Sequence, residues 1–346
     1  MQEFYKKFST EKNSKTIQCT ACKHYCIIPQ SGFGLCGARK NEGGKINLIT
    51  HSKPCSLNLD PIEKKPLFHY LPGSKTLSIG FFGCNFKCDF CQNSEISCTR
   101  GISAEKEIAK LGEVPPTRLV ELANKESAKS IAFTYNEPAI SIEYNLEAIE
   151  LAKKQKGKEK LGAVYVSNGY LSEEQLKELT KSKTKLDAIN IDLKSFSSDF
   201  YKKTCGAELE GVLKTIRAVK KAGIWIELTT LVIPSKNDSS QELNQIASWI
   251  CDLDKNIPWH ISAFFPSYKM LNISPTSTEE ITSAVKIGKE SGLTFVYGGN
   301  VNAGLSDTFC PKCKNLLIKR NNFNAKILGL EKNKCNKCGE EIRGVF

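Results

Sequence analysis

Short apolar runs alternate with longer amphipathic segments between about residues 74 and 301. Apolar, β-branched runs bounded by turn residues predict buried strands, and apolar positions that recur every three or four residues predict helices. The strands are predicted at 76–82, 130–136, 161–167, 186–193, 224–233, 258–265 and 293–299. The helices are predicted at 116–126, 142–156, 172–180, 208–222, 239–254 and 277–291. Because alternating strands and helices form parallel sheets, the pattern predicts an α/β fold, either doubly wound or curled into a full or partial barrel.

Polar residues stand at the ends of several predicted strands. The carboxyl ends of parallel strands meet at one edge of the sheet, where ligands bind. The residues in question follow the first four strands in order: Cys84, then Asn136 and Glu137, then Ser167 and Asn168, then Asp192 and Lys194. An ordinary loop carries one such residue by chance, but several at corresponding positions predict one shared ligand site.

The chain has 346 residues and 15 cysteines, most of which fall in three clusters. We name them the N-terminal set (Cys19, Cys22, Cys26 and Cys36), the central set (Cys84, Cys88 and Cys91) and the C-terminal set (Cys310, Cys313, Cys335 and Cys338). A disulfide framework is typical of small secreted chains, whereas this chain is large and begins without an apolar signal segment. The clusters therefore predict metal ligands in a reducing compartment, the cytoplasm.

Charge and hydropathy narrow the class of protein further. The net charge is +12, with 25% charged and 40% hydrophobic residues, as in ordinary globular proteins. Stretches of 18 or more apolar residues are missing from the sequence, so no membrane span is predicted. The basic charge does not by itself establish a nucleic-acid partner.

The central set has the spacing Cys-x3-Cys-x2-Cys directly after a predicted strand. Three thiolates on a short loop can hold three irons of a [4Fe–4S] cube and leave the fourth iron open to a substrate or cofactor. The alternative is a zinc ion completed by a distant cysteine or histidine, although zinc loops usually show paired Cys-x2-Cys knuckles.

This loop, with Phe90 before the last cysteine, resembles the signature of the radical S-adenosylmethionine (SAM) superfamily. The resemblance implies a partial (βα)6 barrel of the TIM-like type. It also implies that Cys84, Cys88 and Cys91 carry the catalytic cluster, which an electron donor of the flavodoxin or ferredoxin type reduces. One-electron cleavage of SAM then gives methionine and a 5′-deoxyadenosyl radical that abstracts hydrogen from a substrate.

The resemblance also implies which residues bind SAM. They are Phe90, Asn136, Glu137, Ser167, Asn168, Asp192 and Lys194. Glu137 matches the place of a carboxylate that binds the methionine ammonium group. Asp192 and Lys194 resemble an Asp-Leu-Lys motif that meets the ribose and carboxylate of the cofactor. The alternative for this last pair is a local ion pair at a strand end.

Over nearly the whole chain, further segments are similar to the AmmeMemoRadiSam-system radical SAM enzyme, which is related to pyruvate formate-lyase-activating enzymes. These segments are DPIEKKPLFHYLPGS, TYNEP, DLKSF and PWHISAFFPSYKM. The similarity implies a protein substrate, as in glycyl-radical enzyme activation, or a Memo-type partner protein. Two alternatives stay open, namely radical modification of RNA or a small metabolite, and a non-enzymatic zinc-binding adaptor.

The C-terminal set consists of two Cys-x2-Cys knuckles, which predict a structural zinc ribbon; a rubredoxin-type iron takes the same ligands. The ribbon follows the last predicted helix and strand, so we expect it to lie away from the strand ends. The N-terminal set predicts either zinc, the preferred metal, or a second iron–sulfur cluster. The resulting division is 1–70, a cysteine-rich metal-binding segment; 71–303, the partial barrel; and 304–346, the zinc ribbon.

Three further residues are candidate reactive groups. Cys205 follows the strand of Asp192 and is interpreted as a buried thiol, with hydrogen-atom donation as the alternative. His69 and His260 have no partner in a recognisable motif, and we interpret His260 as a hydrogen-bonded core residue.

Overall fold

The computed structural model describes residues 3–8, 15–155 and 160–346. The N-terminal part is built from short strands around the first cysteine set. They form a three-stranded antiparallel sheet and a separate hairpin. The sheet contains β1 (Tyr5–Lys7), β2 (Ile17–Cys19) and β3 (Ile27–Ile28), and the hairpin contains β4 (Arg39–Glu42) and β5 (Lys45–Leu48).

An eight-stranded sheet forms the centre of the molecule, and its strands are adjacent in sequence order. They are β6 (Ser56–Pro61), β7 (Lys75–Gly80), β8 (Ser130–Phe133), β9 (Gly162–Ser167), β10 (Ala188–Asp192), β11 (Trp225–Val232), β12 (Trp259–Ala263) and β13 (Val296–Gly299). β6 pairs antiparallel with β7, and every later pair is parallel. Because the order does not reverse midway, the doubly wound alternative is wrong. The partial (βα)6 barrel stays a prediction, which this order supports.

Helices connect the parallel strands. They are α1 (Ser94–Ser97), α2 (Gly101–Ile108), α3 (Pro116–Lys125), α4 (Ile142–Lys153), α5 (Glu173–Leu179), α6 (Ser198–Phe200), α7 (Leu209–Lys221), α8 (Ser240–Asp254) and α9 (Thr278–Glu290). A wide π turn, Tyr201–Cys205, continues α6. α9 begins with a capping box, in which Ser277 and Glu280 each bond the backbone of the other, and Gly292 follows its end with φ +98°.

The core lies where these helices cover the sheet. β8 is buried at every position, as expected for a parallel strand covered on both faces. In α7, the apolar residues Val212, Ile216 and Val219 recur at helical spacing and are all buried. None of the described helices is long and apolar enough to cross a membrane.

The C-terminal part contains five short strands. They are β14 (Thr308–Phe309), β15 (Leu316–Asn321), β16 (Asn324–Ile327), β17 (Leu330–Glu331) and β18 (Lys334–Cys335). Leu317 and Ile318 are fully buried against Phe295 and Tyr297 of the central part. The ribbon therefore shares a core with the sheet.

The structure confirms all seven predicted strands and all six predicted helices, with ends that differ by a few residues. The last residue of the helix predicted at 142–156 lies outside the described residues. The antiparallel strand β6 and the short helices α1, α2 and α6 were not predicted. β6 is contributed by residues 56–61, within the segment that we predicted as a separate N-terminal unit.

Candidate active site

The central cysteines occupy the loop that follows β7. Gly83 begins this loop with φ +96°, and a Cβ there would lie 2.4 Å from the carbonyl oxygen of Cys36. The backbone N–H groups of Lys87 and Asp89 donate to the carbonyls of Cys205 and Thr204, at 2.8 and 3.1 Å. Neighbouring backbone therefore holds the loop at both flanks of Cys88.

All three central cysteines line a cavity of about 450 Å³ at the carboxyl ends of the strands. Among the described residues, only the C-terminal set has three or more ligand atoms gathered within 4.8 Å of one another, the arrangement that a single metal ion requires, and the central set is not such a group. Three separated thiols at one wall of a cavity fit a cluster in which each binds a different iron. The residues present therefore suit a [4Fe–4S] cluster with one open iron.

Five of the seven residues predicted to bind SAM line this same cavity. They are Phe90, Asn136, Asn168, Asp192 and Lys194. The Nζ of Lys194 lies 2.8 Å from Oδ2 of Asp192 and 5.7 Å from the centre of the Phe90 ring. The ion pair that was the alternative interpretation is therefore present, and both of its residues line the cavity beside the central cysteines.

Glu137 and Ser167 are not among the residues that line the cavity. Glu137 is 1% exposed, and its carboxylate accepts hydrogen bonds from Ala139 N (2.9 Å), Ser167 Oγ (2.9 Å) and Asn168 N (2.7 Å). Burial raises the pKa of Glu137 to about 7, although these three donors act in the opposite direction. In this geometry Glu137 joins two strand ends and does not line the cavity.

Two asparagines tie the strand ends to the cysteine loop. The Nδ2 of Asn136 donates to the carbonyls of Phe81 and Gly83. The Nδ2 of Asn168 donates to Oδ1 of Asn85, next to Cys84, at 2.7 Å. Both side chains therefore position the loop of the central cysteines as well as lining the cavity.

His260, one member of a histidine–carboxylate pair, also lines the cavity. Nε2 of His260, from β12, lies 2.7 Å from Oε2 of Glu227, from β11. Glu227 also accepts hydrogen bonds from the backbone N–H groups of Phe68 and His69. Burial raises the pKa of Glu227, but hydrogen bonding to His260 and the charges around it outweigh burial, and the net pKa is lowered.

His260 is 3% exposed, which agrees with the interpretation of a hydrogen-bonded core residue, but it also lines the cavity. The sequence contained a signal for this pair. Glu227 is an acid inside the apolar strand 224–233, where a charge requires a partner. Cys205 is fully buried against Cys88 and is absent from the cavity wall, as expected for a buried thiol.

The C-terminal ribbon approaches the cavity, contrary to our expectation that it lies away from the strand ends. Phe323, in the turn between β15 and β16, lines the cavity. Arg320 is buried, donates to the carbonyl of Phe68 at 2.7 Å and stacks on the Phe68 ring at 4.1 Å. The expectation was wrong because these contacts fold the ribbon back onto residues before β7.

The two outer cysteine sets differ in geometry. In the C-terminal set, Sγ of Cys310 and Cys338 lie 3.6 Å apart, as do those of Cys313 and Cys335. All four sulfurs lie within 4.8 Å of one another. This arrangement can hold one tetrahedral ion. The N-terminal set surrounds a second, small cavity.

Known proteins resemble this chain in sequence. The radical SAM superfamily matches residues 78–249. An uncharacterised protein of Methanocaldococcus jannaschii is 38% identical over 343 residues, covering 98% of this chain and 97% of that protein. The pyruvate formate-lyase-activating enzyme of Clostridium pasteurianum is 23% identical over 211 residues, covering 58% of this chain and 82% of the enzyme. The predicted relation to such activating enzymes is therefore confirmed.

The fold comparison agrees. The crystal structure of a radical SAM methyltransferase from Sphaerobacter thermophilus matches with a TM-score of 0.51 at 14% identity, covering 66% of this chain and 67% of that one. Identity this low shows the fold alone, which is α/β with a mostly parallel sheet. Cleavage of SAM at a [4Fe–4S] cluster is general to the superfamily, and its members are enzymes. With the sequence match, the full-length relative and the fold in agreement, the chain belongs to the radical SAM superfamily.

Proposed function

We propose that this chain is a radical SAM enzyme whose central cysteines bind the [4Fe–4S] cluster. The observation that carries the proposal is the shared cavity, in which three separated thiols lie with Asp192 and Lys194. When bound, the cluster and SAM supply a 5′-deoxyadenosyl radical that removes a hydrogen atom from the substrate.

The chain's own residues supply charge and enclosure in this cavity. The carboxylate of Asp192 can accept hydrogen bonds from ribose hydroxyls, and the ammonium of Lys194 suits a carboxylate. Phe90, which is 4% exposed, provides an apolar wall beside both groups. A wall of this kind limits water at the site, which protects a reactive radical.

We further propose that the substrate is a protein, handled as in the AmmeMemoRadiSam system with a Memo-type partner. Similarity to an activating enzyme whose name specifies a protein target, pyruvate formate-lyase, supports this class. The loop after β12 also supports it, since Phe265, Tyr268 and Leu271 are exposed apolar residues there. Ser267 in that loop donates to the carbonyl of Cys91 at 3.0 Å, so the exposed side chains lie near the proposed cluster.

The test is an anaerobic assay for 5′-deoxyadenosine with SAM and dithionite. Cys88→Ala should abolish the product, because it removes one of three cluster ligands. Cys98→Ala is the matched control, since Cys98 is an exposed cysteine just outside the central set, and it should keep the wild-type rate. A wild-type protein that forms no 5′-deoxyadenosine would favour the non-enzymatic adaptor.

The substrate class needs a separate experiment. Protein, RNA and metabolite fractions from cells grown in deuterated medium are each incubated with the enzyme and unlabelled SAM. Transfer of deuterium from the protein fraction into 5′-deoxyadenosine supports the proposal. Transfer from RNA or from small molecules alone contradicts the protein substrate while leaving SAM cleavage intact.

A further inference from the structure

The N-terminal cysteines surround an enclosed space. Cys19, Cys22 and Cys36 are buried and Cys26 is half-buried, and all four line the same small cavity. The backbone fixes their positions, since Cys19 N donates to the carbonyl of Cys26 at 2.9 Å. The thiols therefore face a common interior without meeting at one point.

Their spacing does not suit a single ion. A tetrahedral zinc with Zn–S bonds of about 2.3 Å brings its sulfurs to about 3.8 Å from each other. The C-terminal set meets this requirement, with sulfur pairs at 3.6 Å. Within the part of the chain that the structure describes, three or more ligand atoms gather within 4.8 Å of one another only in the C-terminal set. The N-terminal set shares this lack of a single gathering point with the central set, which fits a cluster with a different metal atom at each thiol.

The wall of this cavity carries buried hydrogen-bond donors without partners in the described part of the chain. They are Nε of Arg39 and Nδ2 of Asn85, whose residues are 1% and 3% exposed. The other two nitrogens of the Arg39 guanidinium are bound by Glu143, at 2.7 and 2.6 Å. Leaving a buried donor unpaired is unfavourable, so an acceptor is expected inside the cavity.

A four-iron cluster offers such acceptors. Its sulfides and thiolates carry negative charge and accept hydrogen bonds from the protein, which tune its potential. One such bond is already present, because the backbone N–H of Leu35 donates to Sγ of Cys26 at 3.5 Å. The donors and the thiol spacing therefore point to the same occupant.

The N-terminal cavity adjoins the loop of the central cysteines. The carbonyl of Cys36 packs directly on Gly83, next to Cys84. Nε2 of His24 lies 2.9 Å from the carbonyl of Asn85, and Asn85 lines the N-terminal cavity. The side-chain oxygen of Asn85 in turn accepts a hydrogen bond from Asn168, which lines the cavity of the central cysteines. Protein backbone and hydrogen bonds thus connect the two sites directly.

We propose that the N-terminal set binds a second [4Fe–4S] cluster, ligated by four cysteines, which delivers an electron to the cluster of the central set. A flavodoxin- or ferredoxin-type donor loses one electron and reduces the second cluster from 2+ to 1+. That cluster returns to 2+ as the central cluster passes from 2+ to 1+, and no bond forms or breaks. The assignment of the metal is independent of the proposed function. The transfer of an electron to the central cluster, which we call the relay, rests on the proposed function.

The metal assignment is tested in the triple variant Cys84→Ala, Cys88→Ala and Cys91→Ala after anaerobic reconstitution. Wild-type protein should hold about eight irons, and the variant about four, one cluster's worth. The EPR signal of the reduced variant should not change when SAM is added, because four cysteines leave no open iron. Two zinc ions per chain with no iron in the variant would overturn the assignment. If wild-type protein holds only the four irons of the N-terminal set, the proposed function fails and this assignment stands.

The relay is tested with Cys26→Ala, and Cys98→Ala serves as the control. We expect Cys26→Ala to lose about four irons. Formation of 5′-deoxyadenosine should fall by an order of magnitude or more with reduced flavodoxin, yet stay near wild type with dithionite, which can reduce the central cluster directly. Equal rates with flavodoxin in both variants, or equal loss with both reductants in Cys26→Ala, would overturn the relay. If Cys26→Ala does not fold, Cys26→Ser is measured in the same way.

Discussion

The N-terminal and C-terminal sets each contain four cysteines, but the thiols are arranged differently in the two sets. In the C-terminal set the sulfurs approach to 3.6 Å around one point. In the N-terminal set the sulfurs do not form such a group, and they line a cavity whose wall includes residues with unpaired buried donors. Four thiolates bring the same charge to both places, so the distance between them determines whether one ion or a cluster fits.

The backbone explains the difference in spacing. In the C-terminal set each knuckle is a tight turn: Lys314 N donates to the carbonyl of Cys310 and Gly339 N to that of Cys335. Gly339, with φ +74°, permits the second turn. In the N-terminal set, Cys19 ends a strand and Cys36 lies in a separate loop, whose position is fixed by contact between Gly37 and Arg100. Tight turns bring the sulfurs of the C-terminal set together, whereas the cysteines of the N-terminal set lie on separate elements of the chain.

The largest expected difference between the two sets is in their response to air. Exposure of the reconstituted protein should remove nearly all iron and the visible absorbance of the clusters. It should leave about one zinc per chain, because zinc has no redox chemistry. Metal analysis before and after exposure checks this. Loss of zinc together with the iron would mean that the two sets are chemically alike.

Removing ligands from the C-terminal set should destabilise the ribbon. Cys313→Ala with Cys338→Ala is expected to abolish zinc binding and to make residues 304–346 sensitive to proteases, since structural zinc contributes folding energy. Iron content should stay at the wild-type level. Limited proteolysis and metal analysis measure both effects, with Cys251→Ala as a control outside the cysteine sets. A ribbon that stays resistant without zinc would show that its shared core with Phe295 is sufficient.

Position also matters more than residue type for two carboxylates near the cavity, those of Asp192 and Glu137. Asp192 faces the cavity, so Asp192→Asn should weaken SAM binding by about 10- to 150-fold, the equivalent of a lost charge-assisted bond of about 1.5–3 kcal/mol. Cluster content and thermal stability should change little. Equilibrium binding of SAM to the reconstituted protein measures the affinity. An unchanged affinity would mean that Asp192 pairs with Lys194 and does not contact SAM.

Glu137→Gln should show the opposite profile. The amide keeps one acceptor oxygen but leaves one of the buried donors of Ala139, Ser167 and Asn168 unpaired. We expect a loss of about 1–3 kcal/mol in the free energy of unfolding. SAM affinity should change by less than about threefold, which is under ~1 kcal/mol. Denaturant unfolding and SAM titration of the same sample separate the two effects. Weakened SAM binding at wild-type stability would instead mean that Glu137 contacts the cofactor.

Much of the fold could be predicted from the sequence because the parallel strands are buried on both faces and therefore form distinct apolar runs. β6 could not be predicted in this way. Its sequence Ser-Leu-Asn-Leu-Asp-Pro is half polar, and it becomes a strand by pairing with β7. The short helix α1 has only four residues, too few for a periodic signal.

The amino-acid sequence is sufficient to establish the cysteine sets, the order of strands and helices, and the residue types at the strand ends. These features follow from local spacing and periodicity, which are present in the sequence whatever the packing of the chain. Three features are set by packing in three dimensions: Asp192 lines the cavity while Glu137 does not, Phe323 reaches the cavity, and the N-terminal thiols surround a small cavity of their own. Each of these depends on the distance between segments far apart in the chain, and such distances are set by packing, which no local pattern records.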